Sequence, residues 1–142
     1  MAYCTKADIL ELIDEATLIM LTDDAAAGTV DDAKVERAIA DADEEINASL
    51  GMRLSLPLST VPALVRKWAV DIAAYNLYSR RDAEVPEVRQ KRHEEARADL
   101  RAYREGKISL GVEDPESTPA ASEAPRIVSS TPVFGRDKLE GF

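Results

Sequence analysis

The sequence predicts an all-α fold: a small bundle of about four helices, with one extended crossing segment and a flexible C-terminal tail. In four segments, apolar residues recur at three- and four-residue spacing, the pattern of a helix with one buried face. A proline begins two of these segments, where a helix accepts it best. The alternation typical of a strand is confined to one short stretch that holds two prolines, which disfavours a sheet.

The first helix is predicted for the segment TKADILELI. Thr5 can cap it, and Asp8 stands in the capping-box position three residues later. Its apolar residues share one face: Ile9, Leu12, Ile13 and Ala16. The residues that follow predict a connection, with at most a helical turn at residues 18–21.

Four carboxylates lie around this connection: Asp23, Asp24, Asp31 and Asp32. Their spacing lacks the alternating oxygen ligands and the closing Glu of an EF-hand calcium loop. Asp near a helix N-terminus meets free N–H groups and a favourable dipole, so helix capping is the favoured interpretation.

The second helix is predicted for DDAKVERAIADADEEINASL, with an apolar seam that runs from Val35 to Leu50 and an end at Gly51. Its outer face is acidic. The segment MRLSLPLSTVP then alternates leucine with polar residues, which predicts the extended crossing.

The third helix begins at Pro62 and is apolar nearly all round over residues 68–78, so other helices must surround it. Asp71 is the exception within it. A carboxylate there needs a partner, either Lys67 one turn back or an arginine from elsewhere, and a structural role is favoured over a catalytic one.

The fourth helix is predicted from Pro86 to Gly106. It holds His93, the single histidine, which lacks neighbouring metal-ligand or general-base partners; packing at the core edge is therefore favoured. The segment KISLGV that follows is either a brief strand or an extended arm.

The chain divides into one domain and a tail, as 142 residues suggest. Residues 1–110 form the predicted helical bundle, and residues 111–124 are a Pro-, Ser- and Glu-rich linker that cannot bury enough apolar surface to order itself. Residues 125–142 are a predicted docking segment, in which a short strand or hairpin is one option. Its anchors are Val133, Phe134, Leu139 and Phe142.

The net charge of −9 argues against a nucleic-acid binder. Residues 1–50 hold thirteen Asp and Glu against three Lys and Arg, whereas residues 51–110 hold eight against twelve. This asymmetry fits attraction within one chain or between neighbouring copies, and both interpretations stay open.

Other function classes are disfavoured by what the sequence lacks. No apolar run has the length of a membrane span, and the single cysteine, Cys4, cannot form an internal disulfide, so we expect a soluble protein in a reducing, intracellular compartment. No Gly-rich phosphate loop, metal-ligand cluster or nucleophile–base pair is found. We therefore expect no enzymatic activity and no cofactor.

Four segments carry a resemblance to a known family: AIADADEEINASLGMRLSLPL, VDIAAYNLYSRR, EEARADLRAYREGKISLG and the terminal VFGRDKLEGF. Together they resemble the small proteins of unknown-function type encoded among the head genes of Mu-like phages and prophages. Two positions depart from the family pattern: Leu54 stands where an aromatic residue is usual, and Arg92-His93 stands where an Arg-Tyr pair is common.

The resemblance implies a structural virion protein. Proteins of this kind are similar to the head–tail adaptors, or head-completion proteins, of long-tailed phages, which assemble as a ring, commonly of twelve subunits. Such a ring would contact the portal protein on one side and a tail-side stopper or tail-terminator protein on the other, with DNA only as passing cargo. The subunit would be made in the bacterial cytoplasm and end at the head–tail interface.

In this setting the apolar residues of the docking segment would anchor it in a groove on another copy or on the ring above. A further set of residues is predicted to act as subunit-interface or structural charges: Asp41, Glu44, Glu45, Arg53, Asp71, Arg80, Arg81 and Arg92. An alternative function, supported by the acidic second helix, is a regulatory or DNA-mimicking protein that binds a basic site on a host or phage enzyme.

Overall fold

The computed structural model describes residues 1–81 and 83–112, and these residues form five helices without a strand. The helices in chain order are α1 (Lys6–Leu10), α2 (Glu15–Thr22), α3 (Asp32–Leu50), α4 (Ala63–Ser79) and α5 (Glu87–Arg104). The predicted all-α bundle is thereby confirmed, with one helix more than expected.

The extra helix is α2, which occupies the segment expected to be mainly a connection. The first helix ends early, at Leu10, and the Asp14 carboxylate then accepts the backbone N–H of Thr17 and caps a new helix. Leu18, Leu21 and Thr22 are buried and hold α2 on the bundle. The Thr22 hydroxyl donates to the Leu18 carbonyl within α2 at 2.8 Å, and it accepts the Asp31 N–H at 3.1 Å, which joins the end of α2 to the start of α3. The prediction of a connection here was wrong.

Helix α4 is the centre of the bundle. It contacts each of the other four helices, and nine of its 17 residues are buried. Trp68, Ile72 and Leu77 are fully buried. The other four helices thus cover the nearly continuous apolar surface of α4, as its sequence predicts.

The crossing segment, residues 51–62, consists of turns and bends. Leu54 and Leu58 pack into the core, whereas Leu56 between them is 37% exposed and precedes Pro57 through a cis peptide bond. Helices α4 and α5 each begin one residue after the proline that predicted them, with Pro62 and Pro86 as N-caps.

Helix α5 ends in a glycine-based cap. Gly106 has φ +77°, its N–H donates to the Tyr103 carbonyl, and the Lys107 N–H donates to the Ala102 carbonyl at 2.9 Å. Residues 107–112 then form bends and irregular backbone rather than a strand.

The description of the chain ends at residue 112. Most of the predicted linker and the whole docking segment, including Val133, Phe134, Leu139 and Phe142, lie outside the described residues. In the portion of the chain that is described, no helix has the length and apolar character to cross a membrane.

Candidate functional site

A groove of about 630 Å³ lies between the N-terminal residues 1–6 and residues 32–43 of α3, about the first three turns of that helix. We call it the N-terminal groove. Buried residues line its apolar part: Cys4, Val35 and Ile39, with Ala40 beside them. Lys6, Asp32 and Glu36 line it from exposed positions, and Lys6 pairs with Asp32 at 2.6 Å. The groove therefore joins an apolar surface to an acidic edge.

Asp43 also lines this groove, and its carboxylate is only 8% exposed. Its Oδ1 accepts the backbone N–H of Tyr3 at 3.1 Å, and the Tyr3 hydroxyl bonds to Asn47 one turn further along α3. No Lys or Arg of the described chain forms an ion pair with Asp43. Burial raises the pKa of this carboxyl, a shift that the Tyr3 N–H and the Met1 ammonium oppose. Asp43 thus fixes the N-terminal residues on α3 without an ion pair to any Lys or Arg of the described residues.

Cys4 is the one cysteine of the chain, and it is buried in the groove wall. Burial, followed by the nearby charges of Asp43 and Asp8, raises the pKa of its thiol to about 12. The thiol is therefore protonated at neutral pH, so it lacks the thiolate character that a nucleophile needs.

Asp71 on α4 lies between two cations. Lys67 Nζ is 3.3 Å from its Oδ2, and Arg92 Nη1 of α5 is 3.7 Å from its Oδ1. The predicted pairing with Lys67 and with an arginine from elsewhere in the sequence is seen. Because Asp71 is almost fully buried and the arginine belongs to another helix, this arrangement joins α4 to α5.

Arg80 and Arg81 lie at the end of α4 and bind Asp24, in the connection between α2 and α3. Arg80 forms two hydrogen bonds to the Asp24 carboxylate, at 2.9 and 2.7 Å, and a third to the Leu21 carbonyl. Arg81 and Lys34 also pair with Asp24. The Arg80 and Lys34 hydrogen bonds hold the pKa of Asp24 well below its usual range. These arginines therefore hold the α2–α3 connection against α4.

The aspartates around this connection do not share one function. Asp31 is the N-cap of α3, and Asp23 accepts the backbone N–H groups of Ala27 and Gly28. The expectation of helix capping is met at Asp31, whereas Asp24 and Asp32 form ion pairs.

Arg53 holds the residues after α5. Its guanidinium donates to the carbonyl oxygens of Tyr103 at 3.0 Å and Ile108 at 3.3 Å, and it lies 5.0 Å from the centre of the Tyr103 ring. This side chain joins the crossing segment to the chain that leaves the bundle.

The predicted acidic residues of α3 differ in their pairing. Asp41 pairs with Arg37 at 2.9 Å and Glu45 pairs with Arg97 of α5 at 3.0 Å. Glu44 is exposed, and it has no ion-pair partner within the described residues.

His93 stacks on Tyr75 of α4, with ring centres 3.8 Å apart and planes 2° from parallel. Burial lowers the pKa of the imidazole. This geometry agrees with the packing role that was favoured from sequence. Among residues 1–81 and 83–112, no three His, Cys, Asp or Glu side chains come together as a metal site.

Sequence reasoning missed Asp43 and the N-terminal groove. A signal for the burial of Asp43 exists, because it stands four residues after Ile39 and three before Ile46, on the seam of α3. The docking of residues 1–6 against that seam has no comparable signal.

Comparison with known proteins identifies the family. Residues 3–129 match the family described as Bacteriophage Mu, Gp36. The chain belongs to this family. The resemblance to small proteins of Mu-like phages and prophages, first drawn from sequence segments, is thereby confirmed.

Two relatives illustrate the Gp36 family. The Mu-like prophage FluMu protein gp36 of Haemophilus influenzae is 35% identical over 116 residues, which cover 82% of this chain and 80% of the relative. Gene product J of Escherichia phage Mu is 31% identical over 144 aligned positions, covering 100% of this chain and 99% of the relative. Family membership indicates a structural or assembly protein of a phage.

Proposed function

We propose that this protein is a head–tail adaptor, a head-completion protein that forms a ring between the portal protein and the tail during virion assembly. The observation that carries the proposal is the family match over residues 3–129. It is supported by the resemblance to head–tail adaptors that the sequence segments suggested. The role is structural rather than catalytic and uses no cofactor. The tail-side partner is a stopper or tail-terminator protein, and DNA passes through the ring.

The distribution of unpaired charge supports assembly into a ring. A ring needs two different surfaces on each subunit that fit one another. Within the described residues, Glu36, Asp43 and Glu44 of α3 have no ion-pair partner, and the same holds for Arg101 and Arg104 near the end of α5. Opposite charges on two helices suit a contact between neighbours, since complementary potentials favour association and set its register.

The proposal is tested by inactivating the gene in a Mu-like phage or inducible prophage and examining the particles by electron microscopy. We expect filled heads and separate tails, and we expect the wild-type gene supplied in trans to restore joined particles. Particles that join normally without the protein would contradict the proposal.

A second measurement tests the partner directly. Purified protein is mixed with portal protein and imaged, and a ring of added density on the portal is expected. If the protein does not bind the portal but co-purifies with a nuclease or transcription factor, the adaptor proposal is wrong and the regulatory alternative is favoured.

A further inference from the structure

We propose that the N-terminal groove binds the C-terminal segment, residues 125–142, of a second copy of this chain. The inference deepens the proposed function and rests on it, because it names the contact by which one subunit holds the next.

The apolar part of the groove fits such a segment. Its volume of about 630 Å³ lies within the range of about 300–1,000 Å³ typical of binding sites. Val35, Ile39 and Ala40 provide an apolar wall on one helix. The segment brings two apolar pairs, Val133 with Phe134 and Leu139 with Phe142.

The charges of the groove restrict the occupant further. Covering Asp43 with a purely apolar partner would remove the remaining solvent from a carboxylate that forms no ion pair with a Lys or Arg of the described residues, which is unfavourable. Glu36 adds a second unpaired negative charge at the exposed side. In the C-terminal segment, Arg136 and Lys138 stand between the two apolar pairs. A segment that is both apolar and basic fits the apolar wall of the groove and also neutralises its negative charges.

The places of the groove and of the chain end favour a neighbour as the donor. Arg53, just after α3, binds the Ile108 carbonyl, so the chain leaves the bundle beside the C-terminal end of α3. The groove lies along the N-terminal half of that helix, about 15–20 Å away at 1.5 Å per residue. Each subunit would extend its C-terminal segment from one end of α3 and bind a neighbour's C-terminal segment near the other end. Contacts of this head-to-tail kind can close into a ring.

The chain is long enough for this contact. Residues 113–132 separate the last described residue from Val133. A linker of twenty residues has an end-to-end distance of about 25 Å, which exceeds the distance of about 15–20 Å along α3 between the chain exit and the groove. The same length also permits docking into the chain's own groove, so the experiment distinguishes the two.

Cross-linking between two full-length chains tests the proposal. Both carry Cys4→Ala, so that no native thiol competes. One also carries Ala40→Cys in the groove, and the other carries Phe134→Cys and a size tag. After mixing and mild oxidation, we expect a disulfide-linked heterodimer. A matched control replaces Ala40→Cys by Ala48→Cys, which is exposed on the same helix but outside the groove, and should cross-link several-fold more slowly.

Charge reversal adds a second test that does not depend on cysteine at the apolar wall. Glu36→Lys in the groove-bearing chain should slow cross-linking several-fold, and Lys138→Glu in the other chain should restore it. Glu95→Lys, at an exposed position of α5 outside the groove, should have no effect. Circular dichroism confirms that each variant is folded.

Several outcomes overturn the inference. They are equal rates for the Ala40→Cys and Ala48→Cys chains, the absence of a heterodimer, or cross-linking only within a chain that carries both Ala40→Cys and Phe134→Cys. Failure of the adaptor function is separate. If the heterodimer forms but the protein neither binds portal nor completes heads, the proposed function is wrong and the groove contact stands.

Discussion

Trp68 on α4 donates its indole N–H to the carboxylate of Asp99 on α5 at 3.1 Å, although the Trp68 side chain is fully buried. The two residues are 31 positions apart in sequence. A buried indole requires an acceptor, and Asp99 provides it from the half-buried edge of the neighbouring helix. This hydrogen bond fixes the relative register of α4 and α5.

Replacing Asp99 by Ala removes the acceptor and leaves the indole N–H unpaired. We expect a loss of about 1–2 kcal/mol in the free energy of unfolding, measured by urea denaturation. Asp99→Asn keeps an oxygen acceptor in place and should lose less. Equal losses for the two variants would show that the hydrogen bond contributes little.

Removing both cations beside Asp71 should be more costly than removing either. Lys67→Met with Arg92→Met leaves a buried carboxylate without a partner, and we expect a loss of about 3 kcal/mol. Adding Asp71→Asn to the double variant should recover much of the loss, because the buried charge is then gone. If it does not, packing of the two long side chains accounts for the effect.

The ion pairs of Asp24 should make stability depend on pH in acid. Because Arg80 and Lys34 lower the folded-state pKa of Asp24, its contribution is complete above the unfolded pKa of about 3.9. The contribution is lost as the pH falls through the lower folded-state pKa. Asp24→Asn should therefore lower Tm at pH 7, and its difference from wild type should shrink below pH 4.

The control for this prediction is Asp41→Asn, which removes a single exposed pair with Arg37 and should change Tm little at any pH. A constant Asp24→Asn effect from pH 7 to pH 2 would contradict the assignment.

Arg53→Lys should weaken the attachment of the residues after α5. Arg53 reaches the Tyr103 and Ile108 carbonyls through one nitrogen, Nη1, while its planar guanidinium lies over the Tyr103 ring, and a lysine ammonium cannot make both kinds of contact at once. We expect a loss of about 1–2 kcal/mol in unfolding free energy, together with faster hydrogen exchange at residues 107–110. Arg104→Lys, at an exposed position without an ion pair in the described chain, is the matched control and should behave like wild type.

Asp43→Asn should affect thermal stability and self-association differently. The amide oxygen can still accept the Tyr3 N–H, while the cost of burying a charge disappears. We therefore expect a Tm at pH 7 that equals or exceeds that of wild type, together with slower cross-linking at the N-terminal groove. Glu95→Gln removes one negative charge from an exposed position of α5 and should change neither quantity.

The three long helices could be predicted from sequence almost to the residue. Their apolar seams are continuous, and proline or glycine marks their ends, as at Gly51, Pro62 and Pro86. Helix α2 was missed because its apolar residues are consecutive rather than spaced along one face. Only the Asp14 cap signalled its start, and that residue stands where the first helix was expected to continue.

The candidate site was harder to predict than the fold. The pairing of Asp71 could be predicted because Lys67 lies one helical turn away and a buried charge demands a partner. The N-terminal groove could not, because it depends on contacts between residues about 40 positions apart, such as Tyr3 with Asp43. Within an acidic helix, Asp43 differs from its neighbours by its position on the seam alone.

The central place of α4 constrains the order in which the molecule can be made. During synthesis, α1, α2 and α3 leave the ribosome before α4 does, yet each packs against it. Their apolar faces therefore stay uncovered until residue 79 has emerged from the exit tunnel. The nascent chain passes through a period of exposed apolar surface, when chaperones can bind it, and its core is complete only after α5 has also emerged and packed on α4 and α3.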